Sequence, residues 1–193
     1  MAASVALSPS AAPQSIKHPI TAGEFFDLSA QENFYGDLIE GEVVEMTPPG
    51  MEHGDIAGNI FEFLAPFVRS HKLGRAYFEV GYIIERDPDT VLAPDIAFIS
   101  EERLPKPIPK NFPNLVPDLA IEIISPGDRF AEIRDKAQRY LNAGVKEVWV
   151  VDPRRQAVDI SRSIHETYTF QKKEILQTPL LPEFRLAVKD IFS

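Results

Sequence analysis

Two acidic residues of this 193-residue chain sit inside apolar segments, where an ionised carboxylate is costly unless it is paired, hydrogen-bonded or bound to a metal. Glu122 is flanked by Ala120, Ile121, Ile123 and Ile124, and Asp95 follows Pro94 at the head of Ile96-Ala97-Phe98-Ile99. Side chains alternate along a strand, so Asp95 shares a face with Ala97 and Glu122 shares one with Ala120. Small neighbours leave room beside each carboxylate. If the two strands are adjacent, both carboxylates converge on one hard divalent cation, with the backbone carbonyl of Ile123 as a third oxygen ligand. Water and a substrate phosphate would complete the shell. Lys136 is the third element: at about 100° per helical residue it borders the stripe of Ile133, Ala137 and Tyr140. A helix that leaves the Glu122 strand and packs back on the sheet carries that ammonium over the site.

The elements that must position these groups follow from the pattern. Thr21 is a good N-cap and Glu24 stands three residues on, so a capping box opens a short first helix. Residues 38–46 read as a strand or hairpin that leaves through Pro48-Pro49-Gly50. From His53, the spacing of Ile56, Ile60, Phe63, Leu64 and Phe67 predicts an amphipathic helix ending near His71 to Gly74. Residues 76–84 and 91–99 read as two strands of a hairpin, joined at Asp87-Pro88-Asp89-Thr90. Five prolines between 104 and 117 make an irregular loop. A buried strand over 118–125 follows, then a helix capped by Asp128 and running to about Asn142. Its stripe is Phe130, Ile133, Ala137, Tyr140 and Leu141, with Gly144 as the stop. Residues 147–151 form an apolar strand, and 157–161 and 167–171 suggest further antiparallel strands. The order α, β, α, β, β, β, α, β with a β-rich end predicts an α/β fold. Residues 1–18 read as a flexible tail before a single domain over 19–193.

Composition narrows the chemistry. The chain has no cysteine, which excludes disulfides, thiolate metal sites and thiol nucleophiles, and leaves oxygen or imidazole as the metal ligands. No stretch approaches the ~20 apolar residues of a membrane helix, and the N-terminus has no signal-peptide pattern. A cytoplasmic location is the expectation. With 20 basic against 29 acidic residues the net charge is −9, which argues against gripping nucleic acid through bulk charge. Between Arg129 and Arg155 the balance reverses, seven basic residues to four acidic. That is a modest phosphate-facing patch.

The segments Leu38-Ile-Glu-Gly-Glu-Val-Val-Glu-Met46, His53, Pro94-Asp95, Asp118-Leu-Ala-Ile-Glu-Ile-Ile-Ser-Pro126, Asp135-Lys136, Tyr140 and Ala143-Gly-Val-Lys-Glu-Val-Trp-Val-Val-Asp-Pro153 together resemble the Uma2 family (DUF820) of the PD-(D/E)XK nuclease-like superfamily. The resemblance spans about Ile20 to Phe192. It implies a restriction-endonuclease-like αβββαβ core with a mixed central sheet and extra C-terminal strands. It also implies a metal-dependent phosphodiester hydrolase site using Mg²⁺ or Mn²⁺, with Asp95 as the aspartate of Pro-Asp and Glu122 as the second acidic ligand. The superfamily lysine would stand two residues after Glu122, where this chain has Ile124. The family resemblance points to Lys136 as the migrated replacement. Glu42 and Glu79 are candidate outer carboxylates, His53 a proton shuttle or orienting group, and Tyr140 a supporting residue.

Structural readings compete at each position. Asp after Pro is ordinarily a turn residue, and Glu122 can be a buried partner of Arg134 or Arg139. Lys136 can snorkel beside its stripe, His53 can cap its helix, and Glu42 and Glu79 can face solvent. Trp149 belongs in the core rather than on a base-stacking platform. The expectation is a divalent-metal-dependent endonuclease acting on DNA. A homodimer suits a double-strand cut. The alternative is a non-catalytic nuclease-fold module for nucleic-acid binding or protein interaction.

Overall fold

The computed structural model describes residues 19–32 and 34–193. The predicted tail over 1–18 lies outside the described residues. Helix α1 (Ala22–Glu32) opens on the expected capping box: the Thr21 N–H donates to Glu24 Oε2 at 2.7 Å, and the Glu24 N–H to Thr21 Oγ1 at 3.3 Å. Strands β1 (Gly36–Ile39) and β2 (Glu42–Glu45) form a hairpin. Helix α2 (Met51–Ser70) buries Ile56, Ala57, Ile60, Leu64 and Val68. Phe63, expected on that stripe, is 44% exposed, because the turn-by-turn drift of the buried face favours Val68 instead.

The next segment departs from a simple hairpin. Strands β3 (Gly74–Phe78), β4 (Tyr82–Glu85), β5 (Thr90–Leu92) and β6 (Ile96–Ser100) pair as β3 with β6 and β4 with β5. Each predicted strand is therefore shared between two sheets. The breaks fall at Glu79, whose φ is +46°, and at Ala93-Pro94-Asp95, where proline has no N–H to give a ladder. After a 3₁₀ turn (Glu101–Arg103) and the proline loop come β7 (Leu119–Ile123), α3 (Phe130–Asn142), β8 (Glu147–Asp152), β9 (Ala157–Ser163), β10 (Glu166–Gln171), β11 (Ile175–Thr178), β12 (Leu181–Ala187) and a short α4 (Val188–Ile191).

A six-stranded mixed sheet runs in the order β10-β9-β8-β7-β6-β3, with β7 and β8 parallel around the α3 crossover. A four-stranded sheet runs β2-β1-β5-β4, and β11-β12 is a separate hairpin. One face of the large sheet, including Ile96, Phe98, Ile121, Ile123 and the fully buried Trp149, packs with α2, β12 and α4. The other contributes Ala120 and Val148 to a smaller cluster with Ala137 and Tyr140 of α3. Each large apolar side chain buried this way stabilises the fold by roughly 1.5–3 kcal/mol.

Two expectations about α3 need correction. Asp128 does not cap the helix: its Oδ2 accepts the Ser125 N–H at 2.7 Å and closes the Ser125-Pro126-Gly127-Asp128 turn, leaving Arg129 at the N-cap position. Phe130 is 65% exposed rather than part of the stripe, since the first turn projects beyond the sheet.

Candidate metal centre

Register brings the two carboxylates together. In the antiparallel β6-β7 ladder Phe98 faces Leu119, Ala97 faces Ala120 and Ile96 faces Ile121. One step further places Asp95 opposite Glu122 on the face of the two alanines. Asp95 sits at the break between the sheets, where its carbonyl accepts the Glu79 N–H at 3.2 Å. Its Oδ2 accepts the Ile123 N–H at 2.6 Å, a short charge-assisted bond, and lies 3.2 Å from His53 Nε2. His53 is buried in the first turn of α2. Burial works against its charged form, but the Asp95 hydrogen bond and the charges of Asp95, Glu122 and Glu79 outweigh it and raise the imidazole above its usual range.

Glu122 is 5% exposed. Its Oε1 lies 3.1 Å from Lys136 Nζ and accepts the Tyr140 hydroxyl at 2.8 Å. Burial pushes its carboxyl up to about 8, while the Lys136 ammonium and the Tyr140 hydrogen bond pull the other way. Lys136 keeps its proton: burial disfavours the charge, but Glu122 and Asp37 together raise the ammonium above its ordinary range. The Tyr140 phenol is raised by burial and by Glu122, so it stays a donor. The partner of Glu122 is therefore a lysine of α3. Arg139 instead pairs with Glu40 at 3.0 Å, and Arg134 is exposed.

Three further groups belong to this cluster and were not singled out in the sequence. Asp37 of β1 is 4% exposed, its Oδ2 3.1 Å from Lys136 Nζ and its Oδ1 accepting the Ala93 N–H at 3.0 Å. The cost of a carboxylate beside the apolar Leu38 and Ile39, the criterion that marked Glu122, was the available signal. The Ala93 carbonyl accepts from Lys136 Nζ at 3.3 Å. Half-buried Tyr35 is raised to about 12 by burial and by the charges of Glu79 and Asp95. Glu79 itself is exposed at the rim. Glu42 is a correction: at the start of β2, opposite Ile39, it is exposed, and among the described residues no hydrogen bond or ion pair joins it to the cluster.

Among the described residues no group of three His, Asp or Glu side chains has the geometry of a preformed metal cage. The donor set nonetheless fits a hard cation. Asp95 Oδ1 and Glu122 Oε2 carry no hydrogen bond among the described residues, because every bond to these side chains goes to the other oxygen. Two free carboxylate oxygens at opposed register positions suit Mg²⁺ or Mn²⁺ that retains several waters. A cleft of about 470 Å³, lined by Glu40, Ile84, Asp135 and Arg139, runs along α3.

The profile of the Uma2 family, described as "Putative restriction endonuclease", matches residues 22–189. A solved structure from Anabaena variabilis, described as a "putative nuclease belonging to DUF820", superposes with a TM-score of 0.78 at 26% identity, covering 90% of this chain and 98% of that one. No curated protein matches the chain. The matched span takes in Asp37, Asp95, Glu122 and Lys136, within a fold that superposes on that nuclease-like structure. The chain belongs to the Uma2 family, a family with a restriction-endonuclease-like description.

Proposed function

We propose that this chain is a divalent-metal-dependent nuclease that hydrolyses phosphodiester bonds, with DNA as its substrate class. The observation that carries the reading is the meeting of Asp95, Glu122 and Lys136 at the break between two sheets, where the two carboxylates each keep one oxygen free. The family description and the nuclease-like structural neighbour support the same reading.

A bound divalent cation supplies acidified water and neutralises charge on the phosphate. The chain's own residues do the rest. Asp95 is oriented by the Ile123 N–H and His53, so its free oxygen points along a fixed direction. Glu122 is fixed by Tyr140 and Lys136 in the same way. The Lys136 ammonium stands where positive charge offsets the charge that builds on a phosphate during attack. His53 is placed at Asp95 to hold or pass a proton at Nε2.

The test is plasmid cleavage at low salt with Mg²⁺ or Mn²⁺, comparing wild type with Asp95→Ala and Glu122→Gln purified identically. Nicking by wild type that both variants lose by 100-fold or more supports the reading. Equal cleavage by all three points to a contaminant, and no cleavage of DNA or RNA by wild type overturns it.

A further inference from the structure

At one border of the large sheet, β10 (Glu166–Gln171) has an open edge, since among the described residues only β9 pairs with it. Gln171 closes one end of that edge. Its N–H donates to Glu174 Oε2 at 2.6 Å and its carbonyl accepts the Glu174 N–H at 2.8 Å, so both groups face away from β9. Backbone groups alternate in direction along an antiparallel strand, which turns those of Thr169 and Thr167 to the same open side. Between these two, Tyr168 is 47% exposed, with the Arg162 guanidinium 5.0 Å from its ring centre. The strand contains neither proline nor lysine, the common guards of an open edge. Glu166 stands at its start and Lys172-Lys173 directly after its end. The other edges of the two larger sheets are guarded. The Ile83 N–H of β4 donates to the Pro113 carbonyl at 3.2 Å, and β2 carries Glu42 and Glu45 at its two ends, which would meet like charge in an antiparallel copy. Strand β3 is bounded by Gly74 at φ +147° and Glu79 at φ +46°.

We propose that β10 pairs antiparallel with β10 of a second copy of this chain, about a two-fold axis at Tyr168. In this register Thr167 of each copy exchanges N–H···O bonds in both directions with Thr169 of the other, so the open groups of both residues are used. Tyr168 faces its counterpart as a non-hydrogen-bonded pair, where side chains approach most closely, and the two half-exposed rings cover each other. Glu166 falls diagonal to Lys172 of the other copy at both ends of the ladder, within reach of long side chains. An axis at Thr169 would instead set Thr167 against Gln171, whose backbone groups Glu174 already holds. The occupant is a second copy because the two-fold turns the strand's own acidic end onto its own basic one. Pairing continues the six-stranded sheet across two molecules. It goes beyond the nuclease reading and stands without it.

Because the axis makes Tyr168 its own neighbour, sedimentation velocity on charge variants is a specific test. Wild type is expected to dimerise at micromolar concentration. Tyr168→Lys and Tyr168→Glu are each expected to stay monomeric, since each sets like charges face to face, and an equimolar mixture of the two is expected to form a heterodimer. Thr169→Pro removes an outward N–H that β9 does not use, and is expected to weaken the dimer by about 10-fold or more while circular dichroism shows the fold retained. The chain has no cysteine, so Tyr168→Cys gives a clean cross-linking readout. It is expected to form an intermolecular disulfide under mild oxidation, because a directly opposed pair lies within disulfide reach. Lys110→Cys, on the proline loop, is expected to stay unlinked. A wild type that is monomeric throughout, dimers that persist in both charge variants, or a mixture that stays monomeric overturns the proposal. Plasmid cleavage is read separately, so none of these outcomes decides the nuclease reading.

Discussion

Removing the Lys136 side chain leaves Asp37 and Glu122 without the cation they share. Truncating one member of a buried ion pair costs about 3–5 kcal/mol, because the remaining charge is uncompensated. Lys136→Met is therefore expected to lower unfolding free energy by about 3 kcal/mol in urea, with part recovered in Lys136→Met/Asp37→Asn. Asp118 gives the opposite kind of control, at the end of β7 away from the site. Burial disfavours its carboxylate, but Lys146, the Ser100 N–H and Arg103 outweigh that and hold it below its usual 3.8. A depressed carboxyl contributes stability that is complete above its unfolded value and is lost as pH falls through the folded one. Stability is thus expected to decline below about pH 4 in wild type, and Asp118→Asn is expected to flatten that decline in denaturation series between pH 5 and 2.

At the scale of elements, the β1-β2 hairpin decides where Asp37 stands. Its turn places Glu40 at φ +52° and Gly41 at φ +76°, the pair of left-handed residues that matches strand twist. A Cβ on Gly41 would also meet Pro19. Gly41→Ala is expected to cost about 1–3 kcal/mol and to reduce cleavage through displaced Asp37, which melting and cleavage assays would register together. Further along, much of the basic excess around α3 and β8 is spent in ion pairs: Arg139 with Glu40, Lys146 with Asp118, Arg155 with Asp159. Arg154 is exposed beside the turn that follows Glu122, donating to the Pro126 carbonyl at 3.2 Å. It is the better candidate for a phosphate contact. Arg154→Ala is expected to weaken DNA binding and to reduce the salt-dependence slope by about one unit, as fluorescence anisotropy across a salt series would read.

For the molecule as a whole, the proposed metal binding is linked to folding stability, because the site exists only in the folded chain. A ligand that binds only the folded state stabilises it by about 2.7 kcal/mol at a hundred times its Kd. Mn²⁺ is expected to raise the melting temperature of wild type, EDTA to reverse the rise, and Asp95→Asn to show neither. None of the described helices is long and apolar enough to cross a membrane.

Most of the local structure was legible in the chain itself, because it rests on short-range rules. The capping box at Thr21 and Glu24, the α3 stripe of Ile133, Ala137 and Tyr140, and the apolar strand around Glu122 each carry their own signal. The cost of a carboxylate among apolar residues marked Asp95 and Glu122 before any neighbour was known. What the sequence could not supply was pairing between distant segments. Residues 76–84 and 91–99 carry a continuous β pattern, and only packing divides each between two sheets at Glu79 and Pro94. That division puts Asp95 opposite Glu122 and brings Asp37 from another sheet to Lys136. Residue types fixed which charges had to find partners, and tertiary structure decided which partners they found, since that depends on register and sheet assignment over separations of up to 99 residues.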